Sequence, residues 1–120
     1  MKNIKTKFDE RIYKYIIRLL KFLVTLPNNP VIREIKSQLT RSGTSIGANY
    51  FEAKGASSKK DYQNFFTYSL KSSNETIFWL VILKDSNLIP DILLEEYGWL
   101  VNETEELANI FASSILTMKK

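Results

Sequence analysis

The residues best suited to bind a charged ligand lie near the start of the chain, where cations recur at spacings of four and three: Lys7, Arg11, Lys14, Arg18 and Lys21. On a helix this spacing places them along one side, and we call them the basic ridge. Such a ridge can contact the phosphates of RNA or DNA, pair with acidic residues of a partner, or face solvent. Arg33, Lys36 and Arg41 are further candidate phosphate contacts. No base-reading motif is visible, so binding should be weakly sequence-specific at most.

The side chains that usually carry acid–base and metal chemistry are missing. The chain has no histidine and no cysteine, which removes the usual general base, thiolate ligands and disulfides. Glutamates crowd the last quarter, at Glu95, Glu96, Glu103, Glu105 and Glu106, but a di-iron site of the Glu-x-x-His type cannot be built without histidine. We therefore predict a solvated acidic face, no metal, no cofactor and no enzymatic activity.

The charges are unevenly distributed between the two halves of the chain. Residues 1–60 carry 13 Lys and Arg against 4 Asp and Glu, whereas residues 61–120 carry 4 against 9. The basic half favours a polyanionic partner. The acidic half offers an internal explanation, since the two halves could face each other.

Four helical segments follow from apolar periodicity and from helix start and stop signals. The first is predicted from Thr6 to Leu26, before Pro27. The second begins at Asn29-Pro30 and ends near Lys54, with Gly55 as its stop. The third opens at Ser57-Ser58, with Asp61 as a capping acid, and ends near Ser86-Asn87. The fourth runs from Pro90-Asp91 to about Met118.

These segments predict the architecture of the whole chain. No segment alternates with period two, and short connections favour antiparallel neighbours, so residues 1–120 should form one all-α domain, an up-down-up-down four-helix bundle. The first residues lack a signal-peptide apolar region, and the longest apolar run, Ile77 to Leu83, is too short to span a bilayer. A cytoplasmic protein without membrane association is expected.

Some helices carry more apolar surface than a monomeric bundle needs. The first has a core stripe and beside it a second stripe of Tyr13, Ile17, Leu20 and Val24. Off-core tryptophans follow on later helices, and Trp and Tyr are common at interfaces. The predicted oligomer interface comprises Tyr13, Ile17, Leu20, Tyr68, Trp79, Ile82 and Trp99. The alternative is that a few aromatic side chains are simply exposed.

The second helix combines small and polar residues. Thr40, Gly43, Thr44 and Gly47 should lie together and allow a close helix approach; a phosphate loop is disfavoured because no strand precedes them and the Walker lysine is missing. Polar residues also fall on the core stripes or beside them: Ser42, Asn49, Glu52, Ser69, Ser73 and Glu75. A hydrogen-bond network between helices two and three would satisfy them, although a binding site is the alternative.

The segment Leu39–Ala53, LTRSGTSIGANYFEA, resembles the signature of the 23S rRNA-intervening-sequence protein family, also called four-helix bundle proteins. Ser57–Tyr62, Ser73–Leu80 and Leu83–Leu88 resemble later parts of the family pattern, while Tyr50-Phe51 departs from it. The resemblance implies an antiparallel bundle that assembles into a ring, commonly a pentamer. Some members are encoded within ribosomal RNA genes, and a similar retroelement accessory protein forms a basic pentameric barrel that binds nucleic acid and a reverse transcriptase. No catalytic residues are implied.

Two functions remain open at this point. The first is a non-enzymatic, ring-forming bundle that binds RNA or DNA backbone through the basic ridge with Arg33, Lys36 and Arg41. The second is a protein-interaction scaffold without nucleic-acid binding, in which the ridge meets acidic groups of another protein or another subunit.

Overall fold

The four helices begin and end close to the local signals that predict them. The computed structural model describes residues 3–120, in which α1 spans Lys7–Thr25, α2 Pro30–Ala53, α3 Lys59–Asp85 and α4 Leu94–Met118. Each helix packs against its neighbours in the chain, and α4 returns to α1, as the up-down-up-down topology requires. The prediction of an all-α four-helix bundle is therefore confirmed.

Side-chain caps fix three of the helix starts, and the first is Thr6 at the start of α1, whose side chain accepts the Asp9 N–H. Asn29 Oδ1 accepts the N–H groups of Val31 and Ile32, with Pro30 in the first turn of α2. Ser58 Oγ accepts the Asp61 N–H at 3.0 Å at the start of α3. The Asp61 carboxylate accepts the N–H of Ser57, so it serves the residue before the cap.

The helix ends differ from expectation at two positions. Gly55 does not take a positive φ, although α2 ends beside it. The left-handed residue is Asn87, with φ of 58°, and here Leu88 N–H reaches Leu83 O at 3.1 Å while Asn87 N–H reaches Lys84 O at 2.9 Å. These two bonds form a Schellman cap at the end of α3. A 3-10 turn at Asp91–Leu93 precedes α4, which thus begins later than Pro90-Asp91.

The core runs the length of the bundle. Its fully buried side chains come from all four helices and include Tyr15, Leu39, Leu80, Leu107 and Phe111. Gly43 and Gly47 of α2 face α1: a Cβ at Gly43 would lie 2.2 Å from Leu19 Cδ2, and one at Gly47 would lie 2.2 Å from Ile16 Cδ1. The predicted close packing at these glycines is confirmed, since side chains of α1 fill the space that a larger residue would need.

Candidate functional site

The basic ridge of α1 contains two kinds of cation, and the arginines are the first kind. Arg11 Nε and Nη2 each donate to the Glu103 carboxylate of α4 at 2.8 Å, and Glu106 lies 3.6 Å away. The hydrogen bonds from Arg11 to Glu103 outweigh partial burial and raise the pKa of Arg11. This guanidinium is therefore engaged within the bundle.

Arg18, seven residues after Arg11, is also held by a carboxylate of α4. Its Nε and Nη2 donate to the two Glu96 oxygens at 2.6 and 2.7 Å, and its Cζ lies 3.6 Å from the centre of the Trp99 ring. The hydrogen bond from Arg18 lowers the pKa of Glu96. The ion pairs join the basic and acidic halves of the chain, and this internal pairing accounts for part of the charge asymmetry.

The prediction of a wholly solvated acidic face on α4 is wrong at Glu103. This carboxylate is buried, because α1 covers it and supplies Arg11 as its partner. Glu95, Glu105 and Glu106 are exposed, as expected. The pattern of glutamates alone could not distinguish Glu103, since its burial depends on how α4 is rotated against α1.

The lysines form the second kind of cation. Lys7, Lys14 and Lys21 are exposed, and Lys14 lies 2.6 Å from Glu10 on the same helix. Within residues 3–120, Lys7 and Lys21 make no ion pair. Spaced by seven residues, the three lysines form a row with about 10.5 Å between members.

The predicted phosphate contacts on α2 are less uniform. Arg33 and Arg41 are exposed; Arg33 Nη2 donates to Asn28 Oδ1 at 3.4 Å, and Arg41 contacts Gln38 and lies 3.9 Å from Glu75. Lys36 is half-buried and donates to the Leu26 carbonyl at 3.1 Å. Lys36 thus supports the turn between α1 and α2.

The second apolar stripe of α1 faces outward. Tyr13, Ile17 and Val24 are 36%, 37% and 80% exposed, while Leu20 packs partly against the core. Successive helical residues turn by about 100°, so this stripe lies next to the lysine row, with the arginine row beyond it. No side chain of residues 3–120 covers these three outward apolar side chains, and their place in an oligomer interface stays a prediction.

The remaining predicted interface residues are divided. Tyr68 is 47% exposed, and Phe78 and Val81 are exposed further along α3. Trp79 and Ile82 pack partly against the core, and Trp79 Nε1 donates to Glu75 at 3.2 Å. Trp99 lies beneath Arg18. Within the chain, the side chains of Trp79, Ile82 and Trp99 already pack against the core, although each retains some exposed surface.

A buried carboxylate at the start of α1 was missed by sequence reasoning. Asp9 is inaccessible to solvent, and it accepts the N–H groups of Lys5 and Thr6, the Tyr50 hydroxyl at 2.5 Å and the Lys54 ammonium. Burial raises the pKa of Asp9, but the bonds from Lys54, Tyr50, Lys5 and Thr6 outweigh it and hold that pKa well below the usual range. We call Asp9, Tyr50 and Lys54 the Asp9 cluster. The sequence signal that could have identified Asp9 was its spacing from Thr6, since the two residues form a capping box.

The polar side chains of the core mostly donate to backbone carbonyls. Ser69 Oγ donates to the Ile46 carbonyl at 2.8 Å, and the Ser42 and Thr76 hydroxyls lie 2.9 Å apart, so two bonds join α2 and α3 as predicted. Ser73 and Asn49 donate to carbonyls of their own helices. Glu52 and Glu75 are exposed. Among the described residues no buried side-chain nitrogen or oxygen lacks a partner, so the core shows no polar group aimed at a ligand.

Metal binding and membrane insertion are two other roles that the described residues can be tested for. Residues 3–120 contain no group of three acidic side chains placed to hold a metal ion. In the same part of the chain, no helix combines the length and the apolar character needed to cross a bilayer.

Comparison with known proteins adds the family to this geometry. A family model described as 23S rRNA-intervening sequence protein matches residues 7–113, which include α1, α2, α3 and most of α4. The chain belongs to this family. A solved structure of a protein of unknown function from the S23 ribosomal protein family of Bacteroides thetaiotaomicron VPI-5482 is 34% identical to this chain, with a TM-score of 0.75 over 89% of this chain and 96% of that one. No curated protein matches the chain.

Proposed function

We propose that this member of the 23S rRNA-intervening sequence protein family is a non-enzymatic bundle that self-associates and binds the phosphate backbone of RNA or DNA. The observation that carries the proposal is the outer surface of α1, where the exposed stripe of Tyr13, Ile17 and Val24 lies beside the row of Lys7, Lys14 and Lys21. The first surface favours association between copies, and the second favours a polyanion.

Self-association would cover apolar surface that the single chain leaves in water. The family resemblance implies a ring, most often of five copies. In such a ring the lysine row is repeated around one axis, so that a modest charge on each chain becomes a continuous basic surface.

The lysine row suits phosphates better than the arginines do. Arg11 and Arg18 would have to leave carboxylates that hold them by two bonds each, whereas the lysines are exposed. A separation of about 10.5 Å between lysines equals the rise of about three phosphates of one strand along the axis of a duplex. Arg33 and Arg41 are secondary contacts in this proposal.

Light scattering tests the association. The wild-type mass should be a multiple of 14.0 kDa, with five copies favoured, and Ile17→Ser should lower it while circular dichroism stays helical. Leu116→Ser, at an exposed apolar residue on α4, is the matched control and should leave the mass unchanged. A wild-type mass of 14.0 kDa at micromolar concentration would reject self-association.

A salt titration tests the nucleic-acid contact. The logarithm of affinity should fall linearly with the logarithm of salt concentration, by about 0.9 per phosphate contact on duplex DNA. Changing Lys7, Lys14 and Lys21 together to Gln should weaken binding to unrelated sequences and flatten that slope. Changing Lys71, Lys84 and Lys119 to Gln makes the same change in net charge and should have a much smaller effect.

The second candidate function is a protein-interaction scaffold. Its support is the separate group of exposed apolar side chains on α3, at Tyr68, Phe78 and Val81, together with the internal pairing of Arg11 and Arg18. A wild-type oligomer that binds neither RNA nor DNA at low salt would reject the nucleic-acid proposal and favour the scaffold.

A further inference from the structure

Two adjoining clefts open at the end of the bundle where α3 begins and α4 ends. The first has a volume of about 600 Å³ and the second of about 510 Å³. Tyr62, Thr117 and Met118 line both clefts, so the two form one trough with Tyr62 between its halves. Their sizes fall in the range of small-ligand sites.

One half of the trough is strongly basic. Lys59, Lys60 and Lys120 line it, and none of the three makes an ion pair within residues 3–120. The nearest acidic residue in sequence is Asp61, whose carboxylate accepts the backbone N–H of Ser57 at 3.0 Å and its hydroxyl at 3.3 Å. No carboxylate side chain lines this half, so it favours an anion.

The other half of the trough is aromatic. The Tyr62 ring stacks on Phe66 with centroids 4.8 Å apart and an interplanar angle of 28°. Tyr62 remains 38% exposed, so ring surface not covered by Phe66 is open to the trough. A flat, aromatic ligand group can extend this stack.

Polar groups beside the ring can bind the edge of such a ligand. The Gln63 side chain carries an amide, which can both donate and accept. The Thr117 hydroxyl donates to the Ser113 carbonyl at 3.1 Å, which leaves its oxygen lone pairs as acceptors. Cations, an open aromatic face and mixed polar groups are the combination that proteins use for single-stranded nucleic acid.

We propose that this trough binds single-stranded nucleic acid, with a base stacked on Tyr62 and the neighbouring phosphates held by Lys59, Lys60 and Lys120. Both clefts are open to solvent, so a strand can enter them from outside. A duplex cannot use the trough in this way, because its base faces are already stacked. This inference rests on the proposed function for the class of ligand, which is nucleic acid, but it places the contact on α3 and α4 instead of α1.

The test compares a fluorescein-labelled uridine decamer with a duplex of random sequence, using the full-length protein. Tyr62→Leu keeps an apolar side chain against Phe66 but removes the ring, and should weaken decamer binding about tenfold while duplex binding is unchanged. Tyr62→Phe should retain wild-type binding. Tyr68→Leu, which removes another exposed tyrosine of α3, is the matched control and should have no effect.

A decamer containing 4-thiouridine provides a second readout that does not depend on a variant's folding. Irradiation should cross-link it to the peptide that contains Tyr62. Cross-links confined to α1, or equal effects of Tyr62→Leu and Tyr68→Leu, would overturn the inference. Saturable binding of decanoate without binding of the decamer would assign the trough to an acyl anion and would also overturn it.

The variant of Lys7, Lys14 and Lys21 separates this inference from the proposed function. If that variant loses duplex binding while Tyr62→Leu leaves decamer binding intact, the α1 surface stands and the trough is rejected. If Tyr62→Leu reduces decamer binding while the lysine variant binds both probes as tightly as the wild-type protein, the trough stands and the α1 contact is rejected. A wild-type protein that binds neither probe rejects both.

Discussion

The polar contacts that hold helix α1 in the bundle are mostly charged, whereas the hydrogen bonds between α2 and α3 are made by uncharged hydroxyls. The polar contacts of α1 are the Asp9 cluster and the arginine pairs with Glu103 and Glu96, supplemented by Tyr15, whose hydroxyl lies 2.5 Å from that of Thr104. Between α2 and α3 the hydrogen bonds are Ser69 to Ile46 O and Ser42 with Thr76, and the charged pair of Arg41 and Glu75 is exposed and 3.9 Å apart. Charged contacts weaken with acid or salt, and neutral ones do not. The attachment of α1 should therefore be the part of the fold that depends on solution conditions.

The largest expected effect comes from Asp9→Asn. A capping side chain contributes about 1 kcal/mol and a hydrogen bond to a charged group about 1.5–3 kcal/mol, so the free energy of unfolding should fall by about 3 kcal/mol. Urea denaturation measures it. Asp85→Asn, at an exposed residue near the end of α3, is the control and should change stability little. Equal effects of the two substitutions would contradict the role given to the Asp9 cluster.

The same cluster gives the wild-type protein a pH dependence with a definite sign. The pKa of Asp9 is lower in the folded state than in the unfolded state. The ionised carboxylate therefore makes its full contribution to the free energy of unfolding above the unfolded pKa of about 3.9, and this contribution is lost as pH falls toward the folded pKa. Unfolding free energy should decline below about pH 4. The decline should be shallower in Asp9→Asn, and identical profiles would count against the assignment.

Gly47→Leu tests the uncharged part of the α1 contact, where α1 packs closely on a small residue of α2. The new side chain would displace Ile16 and meet Ile12, which is fully buried, so overpacking should cost about 2 kcal/mol. Gly98→Leu makes the same change where a Cβ meets nothing within 4 Å, and it should be neutral or stabilising because Leu favours helix. Thermal melts of both variants check this, and a higher melting temperature for Gly47→Leu would exclude close packing there.

A double-mutant cycle of Arg11→Gln and Glu103→Gln measures the charged contact directly. The pair is bidentate and partly buried, so we expect a coupling of about 1.5 kcal/mol that decreases at 1 M salt. The Arg18–Glu96 pair is more exposed and should couple by less than about 1 kcal/mol. A larger coupling for Arg18 than for Arg11 would reverse our ranking of the two pairs.

Ser69→Ala removes an uncharged hydrogen bond between α2 and α3, and among these variants it should have the smallest effect on stability. Loss of one buried hydrogen bond to Ile46 O should cost about 1 kcal/mol, and the cost should be the same at low and high salt. Ser113→Ala, at an exposed serine, serves as the control. If salt changes the Ser69 penalty as much as it changes the Arg11 coupling, the two kinds of contact are not distinct.

Features encoded locally were predicted from the sequence. Asn29-Pro30 and Ser58 cap helices through atoms within three residues of them, so the helix starts could be placed without knowing the fold. Gly43 and Gly47 likewise indicated close packing from the sequence alone, because a residue without a side chain leaves room for a neighbouring helix.

Features that depend on the rotation of one helix against another were not predicted. The basic ridge is a single row in sequence, yet Arg11 and Arg18 pair with residues 92 and 78 positions away, whereas Lys14 pairs on its own helix. Asn49 was placed on a core stripe, but its side chain donates to Ser45 O of its own helix at 2.9 Å. The candidate site could therefore be narrowed to the lysines only after the helices were packed.

The Asp9 carboxylate also determines how α1 opens. It holds the N–H groups of Lys5 and Thr6 and, at the same time, the Tyr50 hydroxyl and the Lys54 ammonium of the α2 end. Helix ends ordinarily fray on their own at little cost. Here the first turn cannot fray without breaking the contact with α2, so its amide hydrogens exchange with solvent at the rate at which α1 is released. Fraying and undocking become one cooperative event, and the amino-terminal amides report on the whole helix.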